Sequence, residues 1–579
     1  MSEWITDSQD EQNFEGLLRD ADQIHIPIFQ RSYVWRQKQL SELLADIDQV
    51  RSEVEETQFM GAIVAYEKPR SGNTVGRMRA LEIVDGQQRI LTLYIFVMAV
   101  VECIAPIDKE EALELVREYL LLAPRRGLDI NTRVVPAFAD RSQFRIIWDR
   151  INSPSVLQSE LSEMQLHLPP PSGEADGDLV TQYYRILRHL RAESHADLDE
   201  AGNFLRETVA VVTRHLSFVH LKLTDASAAT KIFERLNFRG VKVGVVDLVR
   251  NEIFASLADN QIKAQRIFDH VWRPFEEAFV GRAEYFFFPY CLIQDSNTRK
   301  SELFMQLRAS WKGLTPEQMI KDMKPLQGPF LAIDQTGHQP GSKEISKRLE
   351  RLVRLRRPAS IYPYVMSMLL AFEDASITEK TVVDLLDALE SFLVRRAIVG
   401  LEPTGLHAVF KGLWLQMKKH TVSEFKRQIK IRPTIQWPND ADVRGAVEKR
   451  ALGRANICSY LLVEYDRDMK GDNPPLSPTI EHVLPQTLSE DSEWANLFTK
   501  EQHKQMKDLL ANVVPLSSPL NSSLQDSPYS VKKTRYKKES MFTTPRDLAS
   551  KWSSWGPKSI EQRSKILAEW AVFRWSQSL

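Results

Sequence analysis

In the first part of the chain, the spacing of hydrophobic residues changes several times between the two-residue period of a strand and the longer period of a helix. Short runs in which apolar and polar residues alternate predict β-strands at 59–66, 81–84 and 218–223. The longer segments between them have the apolar spacing of amphipathic helices. We therefore predict that strands and helices share an α+β domain in this part.

The middle of the chain shows the helical period. In the segment TVVDLLDALESFLVRR at 381–396, the apolar positions fall on one helical face: Val382, Leu385, Leu386, Leu389 and Leu393. Such a face packs against neighbouring elements, so we assign it no chemistry. Stretches rich in Pro and Gly predict loops at 168–178 and 335–343, and a linker or the start of a new unit at 470–478.

Composition narrows the class of protein. The 579 residues are 43% hydrophobic and 26% charged, which is typical of a globular protein of several domains. Lys plus Arg (76) balance Asp plus Glu (77), so net charge does not indicate a nucleic-acid partner. The three cysteines form no CxxC pair, which argues against a disulfide framework or a zinc finger and favours the cytoplasm. The longest apolar run, 93–101, is too short to cross a bilayer, so we expect no membrane segment.

The polar cluster DGQQR at 85–89 lies between a strand pattern and an apolar run. A turn alone does not require two amide side chains and a guanidinium. The amino end of a helix, however, favours anions. Gly86 would let the backbone approach a phosphate, and Arg89 would hold phosphate oxygens with its planar fork. Gln87 and Gln88 would donate or accept hydrogen bonds, and Asp85 would hold a metal-bound water. The alternative is a capped turn with a surface ion pair.

Aromatic residues cluster in IHIPIFQRSYVW at 24–35. This segment places an amide and a guanidinium among three rings: Phe29, Gln30, Arg31, Tyr33 and Trp35. Such a wall suits bases or phosphates, whereas the alternative is an ordinary aromatic core strand. A third cluster interrupts the amphipathic pattern of 231–251: Glu234, Asn237, Arg239, Gly240 and Asp247. Alone, it fits a helix that ends at Gly240.

These three segments, in their order along the chain (24–35, 85–89 and 231–251), resemble the N-terminal domain of the GmrSD-like modification-dependent restriction endonucleases. The resemblance implies a ParB/sulfiredoxin-like fold with nucleotide binding and hydrolysis at residues 85–89. It also places Gln30, Arg31, Tyr33 and Trp35 in the same functional region. Phe29 stands where a tyrosine is common in the family, so its ring would offer no hydroxyl there.

A second constellation lies near the C-terminal end. Glu481 precedes His482 in PTIEHVLPQT, and Asn512 and Asn521 follow. Hydrolysis of a phosphodiester needs a base, ligands for a divalent cation and positive charge near the phosphate. His482 would be the base, Glu481 and Asn521 would face the cation, and Asn512 would orient the imidazole through the local backbone. A basic run would contact phosphates: Lys532, Lys533, Arg535, Lys537 and Lys538.

The alternatives are a core histidine and a solvated helix face. The motifs EHVLP, ANVVPL, LNSS and KK nevertheless resemble, in order, the HNH (ββα-metal) nuclease that ends GmrSD-like proteins. The resemblance makes His482, Asn512, Asn521 and Lys533 the candidate catalytic residues. Asn521 replaces the usual histidine, and a neutral amide binds metal less tightly than imidazole. The predicted fold is α+β, with a ParB-like domain at 1–260, a helical spacer at 261–445 and an HNH domain at 446–579.

Both resemblances together imply an anti-phage defence endonuclease. It would sense modified double-stranded DNA, bind or hydrolyse an NTP (GTP or UTP), and nick or cleave DNA with Mg²⁺ or Mn²⁺. The family's targets include glucosylated hydroxymethylcytosine, and SspE-type relatives respond to phosphorothioate. An apolar lining around the three rings favours the less hydrated sulfur. We expect a cytoplasmic protein, as a homo-oligomer, that does not bind a membrane. The alternatives are an NTP-dependent DNA-binding regulator with a degenerate nuclease domain and a modification-blind, toxin-like nuclease.

Overall fold

The structure is a computed structural model that describes most of the chain. The described residues are 5–7, 11–27, 30, 32–52, 55–67, 79–122, 130–162, 164, 166–193, 197–223, 245–255, 257, 261–334, 340–401, 404–432, 434–469 and 478–577. The chain divides into two compact units, which we call unit 1 (1–274 with 311–319) and unit 2 (275–310 with 320–579). The three-part division of the sequence stays a prediction.

The strands of the described residues fall into a seven-stranded sheet and two small pairs. In chain order they are β1 (Ile5–Asp7), β2 (Glu11–Asn13), β3 (Gln23–His25), β4 (Gln58–Glu67), β5 (Ala80–Asp85), β6 (Ile130–Asn131), β7 (Val134–Val135), β8 (Leu166–His167), β9 (Leu216–Leu223), β10 (Thr479–His482) and β11 (Val513–Leu516). The three strands predicted from alternation are confirmed as β4, β5 and β9.

Helices make up most of the rest. The α-helices of unit 1 begin with α1 (Phe14–Asp20), α2 (Gln37–Arg51), α3 (Gln87–Ile104), α4 (Lys109–Leu115), α5 (Arg141–Ile151), α6 (Gln158–Ser162), α7 (Asp178–Glu193), α8 (Leu198–Ala210), α9 (Val245–Ala255) and α10 (Gln261–Ile267). They continue along the chain with α11 (Arg273–Glu277), α12 (Phe287–Gln294), α13 (Leu303–Ser310), α14 (Pro316–Asp334), α15 (Lys343–Arg354), α16 (Tyr362–Glu373), α17 (Glu379–Val399), α18 (Leu406–Phe410) and α19 (Leu413–Gln416). The last are α20 (Val422–Lys430), α21 (Asp440–Lys449), α22 (Cys458–Asp468), α23 (Glu493–Leu497), α24 (Lys500–Met506), α25 (Ser518–Leu524), α26 (Tyr529–Glu539), α27 (Thr543–Lys551) and α28 (Pro557–Arg574).

The main sheet of unit 1 is mixed. Its strand order is β1-β9-β4-β5-β3-β7, with β2 also paired to β9. The β4–β9, β5–β3 and β3–β7 pairs are parallel, whereas β4 and β5 are antiparallel. Helix α3 follows β5 directly and is apolar on every side. It is long and apolar enough to cross a membrane, but 89% of its apolar window is buried inside the protein, as in a core helix.

Unit 2 confirms the predicted helix at 381–396, which is α17. Thr378 caps its amino end by accepting a hydrogen bond from the backbone N–H of Thr381, and Gly400 ends it in the left-handed conformation. The five apolar residues of its predicted face are all buried. Farther along, Val394 and Ile398 join the same core as the β10–β11 hairpin. Helices with a small mixed sheet fit the α+β class, while the ParB-like and HNH folds stay predictions.

Two of the predicted loops are described only in part. Residues 168–177 contain neither helix nor strand, as predicted, and α7 begins directly after them. Of the stretch at 335–343, residues 335–339 lie outside the described residues, and α15 begins at Lys343. Residues 470–477 of the predicted linker also lie outside them.

Candidate active site

The C-terminal candidate residues are arranged around an antiparallel hairpin. β10 pairs with β11 from Thr479 opposite Leu516 to His482 opposite Val513, so His482 is the last residue of its strand. Successive side chains of a strand point to opposite faces. Glu481 and His482, which the sequence places side by side, therefore point in opposite directions.

His482 is paired with a carboxylate that the sequence analysis missed. Its Nε2 lies 3.5 Å from Oδ1 of Asp508, and the side-chain amide of Gln486 lies 3.3 Å from each ring nitrogen. Arg454 Nε lies 2.9 Å from the same Asp508 oxygen. Burial lowers the pKa of His482, and Asp508 opposes part of that shift. The imidazole is therefore neutral at neutral pH, which is the form that accepts a proton.

Asn512 holds the backbone that follows His482. Its side chain is fully buried; Nδ2 donates to the carbonyl oxygens of Leu484 (2.9 Å) and Lys507 (2.8 Å). Its Oδ1 accepts from the N–H of Leu484 (2.8 Å) and from Trp555 Nε1 (3.1 Å). Asn512 thus fixes the chain two residues after the histidine.

Glu481 lies in a buried ion pair. Its Oε1 accepts hydrogen bonds from Lys532 Nζ (2.8 Å) and from the Tyr536 hydroxyl (2.9 Å). Lys532 Nζ also donates to the backbone oxygen of His482 (2.7 Å). Burial raises the pKa of the Glu481 carboxyl and lowers that of the Lys532 ammonium, since both lose water.

The phosphate-contact role that we predicted for Lys532 is wrong for this structure. Tyr529, Lys532 and Tyr536 recur at three and four residues, so they form the buried face of α26. The side chain of Lys532 is 0% exposed. Lys533 is half-buried, Lys537 and Lys538 are exposed, and Arg535 pairs with Glu539 at 2.7 Å. The basic surface of α26 is therefore smaller than the sequence suggests.

Glu481, one of the two predicted metal ligands, does not fit a divalent cation in this arrangement. Glu481 would have to exchange Lys532 for the ion, because its carboxylate already holds a cation. Asn521 Nδ2 donates to Thr479 Oγ1 (3.0 Å) and to the oxygen of Ile480 (3.2 Å). Within the described ranges, no group of three or more His, Cys, Asp or Glu side chains is placed to hold a metal.

The DGQQR cluster lies where predicted, at the turn from β5 into α3. Gly86 precedes the helix with φ of 100°, and a Cβ there would lie 2.9 Å from Ile63 Cγ1. The glycine is therefore required by the turn and by close packing on β4. The N-cap residue, Gly86, has no side chain to cap the amino end of α3. An uncapped helix start favours an anion.

The other residues of this cluster are largely engaged within unit 1. Arg89 donates to the backbone oxygen of Ala62, and burial lowers its pKa while Asp85 opposes the shift. Gln87 and Gln88 are both buried. Gln88 Oε1 accepts from the N–H of Val34 at 2.8 Å, so it ties the second motif to the first.

Gln30 completes the connection between these two motifs. Its Nε2 donates to the backbone oxygens of Ile83 (2.8 Å) and Val84 (3.2 Å) at the end of β5. The structure thus brings together the two segments that the sequence separates by about fifty residues. Phe29 and Arg31 lie outside the described residues, as do Glu234, Asn237, Arg239 and Gly240 of the third cluster.

Tyr33 does not lie on an exposed wall. It is 3% exposed, and its hydroxyl makes a 2.6 Å hydrogen bond with Thr92 Oγ1. Both carboxylate oxygens of Asp140 accept from the Tyr33 N–H, at 2.9 and 3.0 Å. Thr92 belongs to α3, so this hydrogen bond holds the Tyr33 ring in the core beside that helix. Trp35 is half-buried against the same core.

Asp508 and Asp140 carried no recognisable signal in the sequence. Each lies far along the chain from the residue that it contacts, and a single aspartate has no period or motif. Asp508 precedes Asn512 by four residues, so proximity to a predicted site residue was the available hint.

Comparison with known families gives two matches. Residues 14–254 match the N-terminal domain of the GmrSD restriction endonucleases, and residues 437–570 match their C-terminal domain. None of the curated proteins compared with the chain matches it. The first match contains DGQQR and the second contains the hairpin with His482 and Asp508. The chain therefore contains regions that match both the N-terminal and the C-terminal domain of the GmrSD restriction endonucleases, in that order.

Proposed function

We propose that unit 2 cleaves DNA with His482 as the general base. The observation that carries this proposal is the His482–Asp508 pair at the end of the hairpin, beside the backbone that Asn512 holds. Nε2 faces Asp508, so Nδ1 would take a proton from water once the Gln486 amide, 3.3 Å from it, moves away. The resulting hydroxide would attack the phosphorus and break its bond to a bridging oxygen of the DNA backbone.

Asp508 would act on the imidazole in two ways. A carboxylate 3.5 Å from Nε2 orients the ring, and it stabilises the imidazolium that forms when Nδ1 accepts a proton. Lys533 and Lys537 lie four residues apart on α26 and would contact backbone phosphates. A divalent cation stays part of the proposal as a cofactor, and no step is assigned to it because Glu481 is held by Lys532.

Unit 1 would bind an NTP at the start of α3. The uncapped amino end of an 18-residue helix and the Arg89 guanidinium beside it support this role. Gln30 and Gln88 connect this turn to the second motif, so nucleotide binding and the reading of modified DNA would share one region. Since Tyr33 is buried, Trp35 is the described aromatic that remains for reading a modification.

A cleavage assay tests the proposal. Supercoiled plasmid DNA, plain, glucosylated or phosphorothioated, is incubated with the protein and Mg²⁺ or Mn²⁺, with and without GTP or UTP, and with EDTA as a control. We expect nicking that depends on the cation and is abolished in His482→Ala. Absence of nicking under all conditions would instead favour a DNA-binding regulator. Equal nicking of all three DNAs would favour a nuclease that ignores modification.

A further inference from the structure

Unit 2 contains an open pocket of about 620 Å³ away from the residues assigned to nuclease chemistry. It lies between the start of α12, residues 297–300 beyond the end of that helix, and α18 with the residue that follows it. Its lining is Phe288, Asn297, Thr298, Arg299, Lys300, His407 and Lys411. A volume of this size holds a small organic ligand.

The lining is positively charged. It contains Arg299, Lys300 and Lys411 but no acidic residue. Arg299 has a distant partner, Glu302 at 3.6 Å, and both side chains are exposed. Across the described ranges, Lys300 and Lys411 make no ion pair. Lys411 also helps burial to lower the pKa of His407, which shows that two basic groups are crowded at one wall.

A buried hydroxyl in the lining has no partner. Thr298 is 7% exposed, and its Oγ1 makes no hydrogen bond within the described part of the protein. An unpaired buried polar group is costly, and native structures rarely keep one without a function. The Oγ1 atom is enclosed, so a rotation of the Thr298 side chain about χ1 would turn it toward the pocket, where a ligand oxygen would satisfy it.

Part of the lining is aromatic. The rings of Phe288 and His407 are stacked, with centroids 5.8 Å apart and planes 12° apart. His407 is exposed, so the stack has room to continue onto a further ring. Bases of every type stack on such a platform.

We propose that this pocket binds a nucleotide, with its phosphate at Lys300, Lys411 and Thr298 and its base on the Phe288–His407 stack. The phosphate could come from a free nucleotide or from a DNA strand, and the chemistry of recognition is the same for both. This site is separate from DGQQR in unit 1 and does not depend on the proposed nuclease mechanism.

Binding is measured with the full-length protein in EDTA, which prevents cleavage. The probes are dAMP, by calorimetry, and a fluorescent single-stranded oligonucleotide, by anisotropy. Lys300→Ala/Lys411→Ala should weaken at least one probe about tenfold or more. For the oligonucleotide, the salt slope should fall by about 0.7 for each phosphate that the variant no longer neutralises. The matched control is Lys343→Ala/Lys380→Ala, which removes two exposed lysines of unit 2 that do not line the pocket.

The two probes distinguish the source of the phosphate. If the lysine variant weakens binding of dAMP alone, the ligand is a free nucleotide. If it weakens binding of the oligonucleotide, the ligand is a DNA strand. Unchanged affinity for both probes, or an equal decrease in the control variant, overturns the proposal.

Two further variants test the details of the contact. Thr298→Val removes the unpartnered hydroxyl with little change in shape, so it should weaken dAMP without lowering the melting temperature. His407→Ala should weaken dAMP more than deoxyribose 5-phosphate, which has no base. Equal effects on both ligands would overturn the stacking assignment.

Discussion

Lys532 Nζ lies 2.8 Å from Glu481 Oε1, and the lysine side chain is 0% exposed. The same ammonium donates to the backbone oxygen of His482. The pair thus connects the core face of α26 to the strand that carries the proposed base. A buried charge is tolerated because its partner is buried with it.

Replacing Lys532 alone should destabilise unit 2 strongly. Lys532→Met leaves the Glu481 carboxylate buried without a cation, which costs about 3–5 kcal/mol of unfolding free energy. The double variant Glu481→Gln/Lys532→Met should recover much of the loss. Urea unfolding measures both, and a single variant as stable as the wild type would contradict the ion-pair assignment.

Lys533 should behave differently although it is the next residue. Its side chain is partly exposed, so Lys533→Ala should leave stability within about 0.5 kcal/mol. DNA binding should weaken, with a salt slope smaller by about 0.9 if Lys533 neutralises one phosphate. Anisotropy with duplex DNA over a range of salt concentrations measures this, and Lys537→Ala tests the second lysine on the same face of α26. An unchanged slope would place Lys533 outside the DNA-binding surface.

The contrast between these two lysines shows what the sequence could predict. Strands β4, β5 and β9 and helix α17 follow from periodicity, because burial of one face imposes it. The turn at DGQQR was also placed correctly. A run of five basic residues gives no sign that one points inward, because that depends on the register of α26 against a distant carboxylate. Asp508 could not be predicted for the same reason, because its contact with His482 depends on how distant parts of the chain pack.

Variants of Asn512 and His482 should distinguish a loss of stability from a loss of catalysis. Asn512→Ala removes four hydrogen bonds from a fully buried site and leaves backbone groups of Leu484 unpaired, at about 1–3 kcal/mol for each group. His482→Ala removes a ring at the end of a strand and should cost less stability. Nicking should be abolished in His482→Ala and only reduced in Asn512→Ala. Comparison uses melting temperature and plasmid nicking on one preparation of each variant, and retained nicking by His482→Ala would refute the base assignment.

Arg89→Ala should strongly reduce NTP hydrolysis. The guanidinium is beside the uncapped start of α3, where it would meet phosphate oxygens. Because Arg89 also bonds the backbone of Ala62, the decrease could come from folding. Arg133→Ala is the matched control, since Arg133 is a partly buried arginine of unit 1 that donates to Leu18 and Leu121 backbone oxygens. If phosphate release falls equally in both variants, DGQQR is a structural turn and not a nucleotide site.

Asp140 should make the stability of unit 1 depend on pH. Burial raises its pKa from the ordinary 3.8 to about 7, although the Tyr33 N–H favours the charged form. The folded protein therefore holds a proton between these values that the unfolded chain has lost. The stability from this group is fully present below about pH 4 and disappears as pH rises through 7.

Asp140→Asn removes this titration while its amide oxygen can still accept from Tyr33. The unfolding free energy of the variant, relative to wild type, should therefore rise between pH 5 and pH 8, by up to about 3 kcal/mol. Urea unfolding at both pH values measures the difference, and Asp149→Asn, on the exposed side of α5, is the control. A difference that is the same at both pH values would mean that the Asp140 carboxyl is already charged at pH 5, so that the Tyr33 N–H outweighs burial.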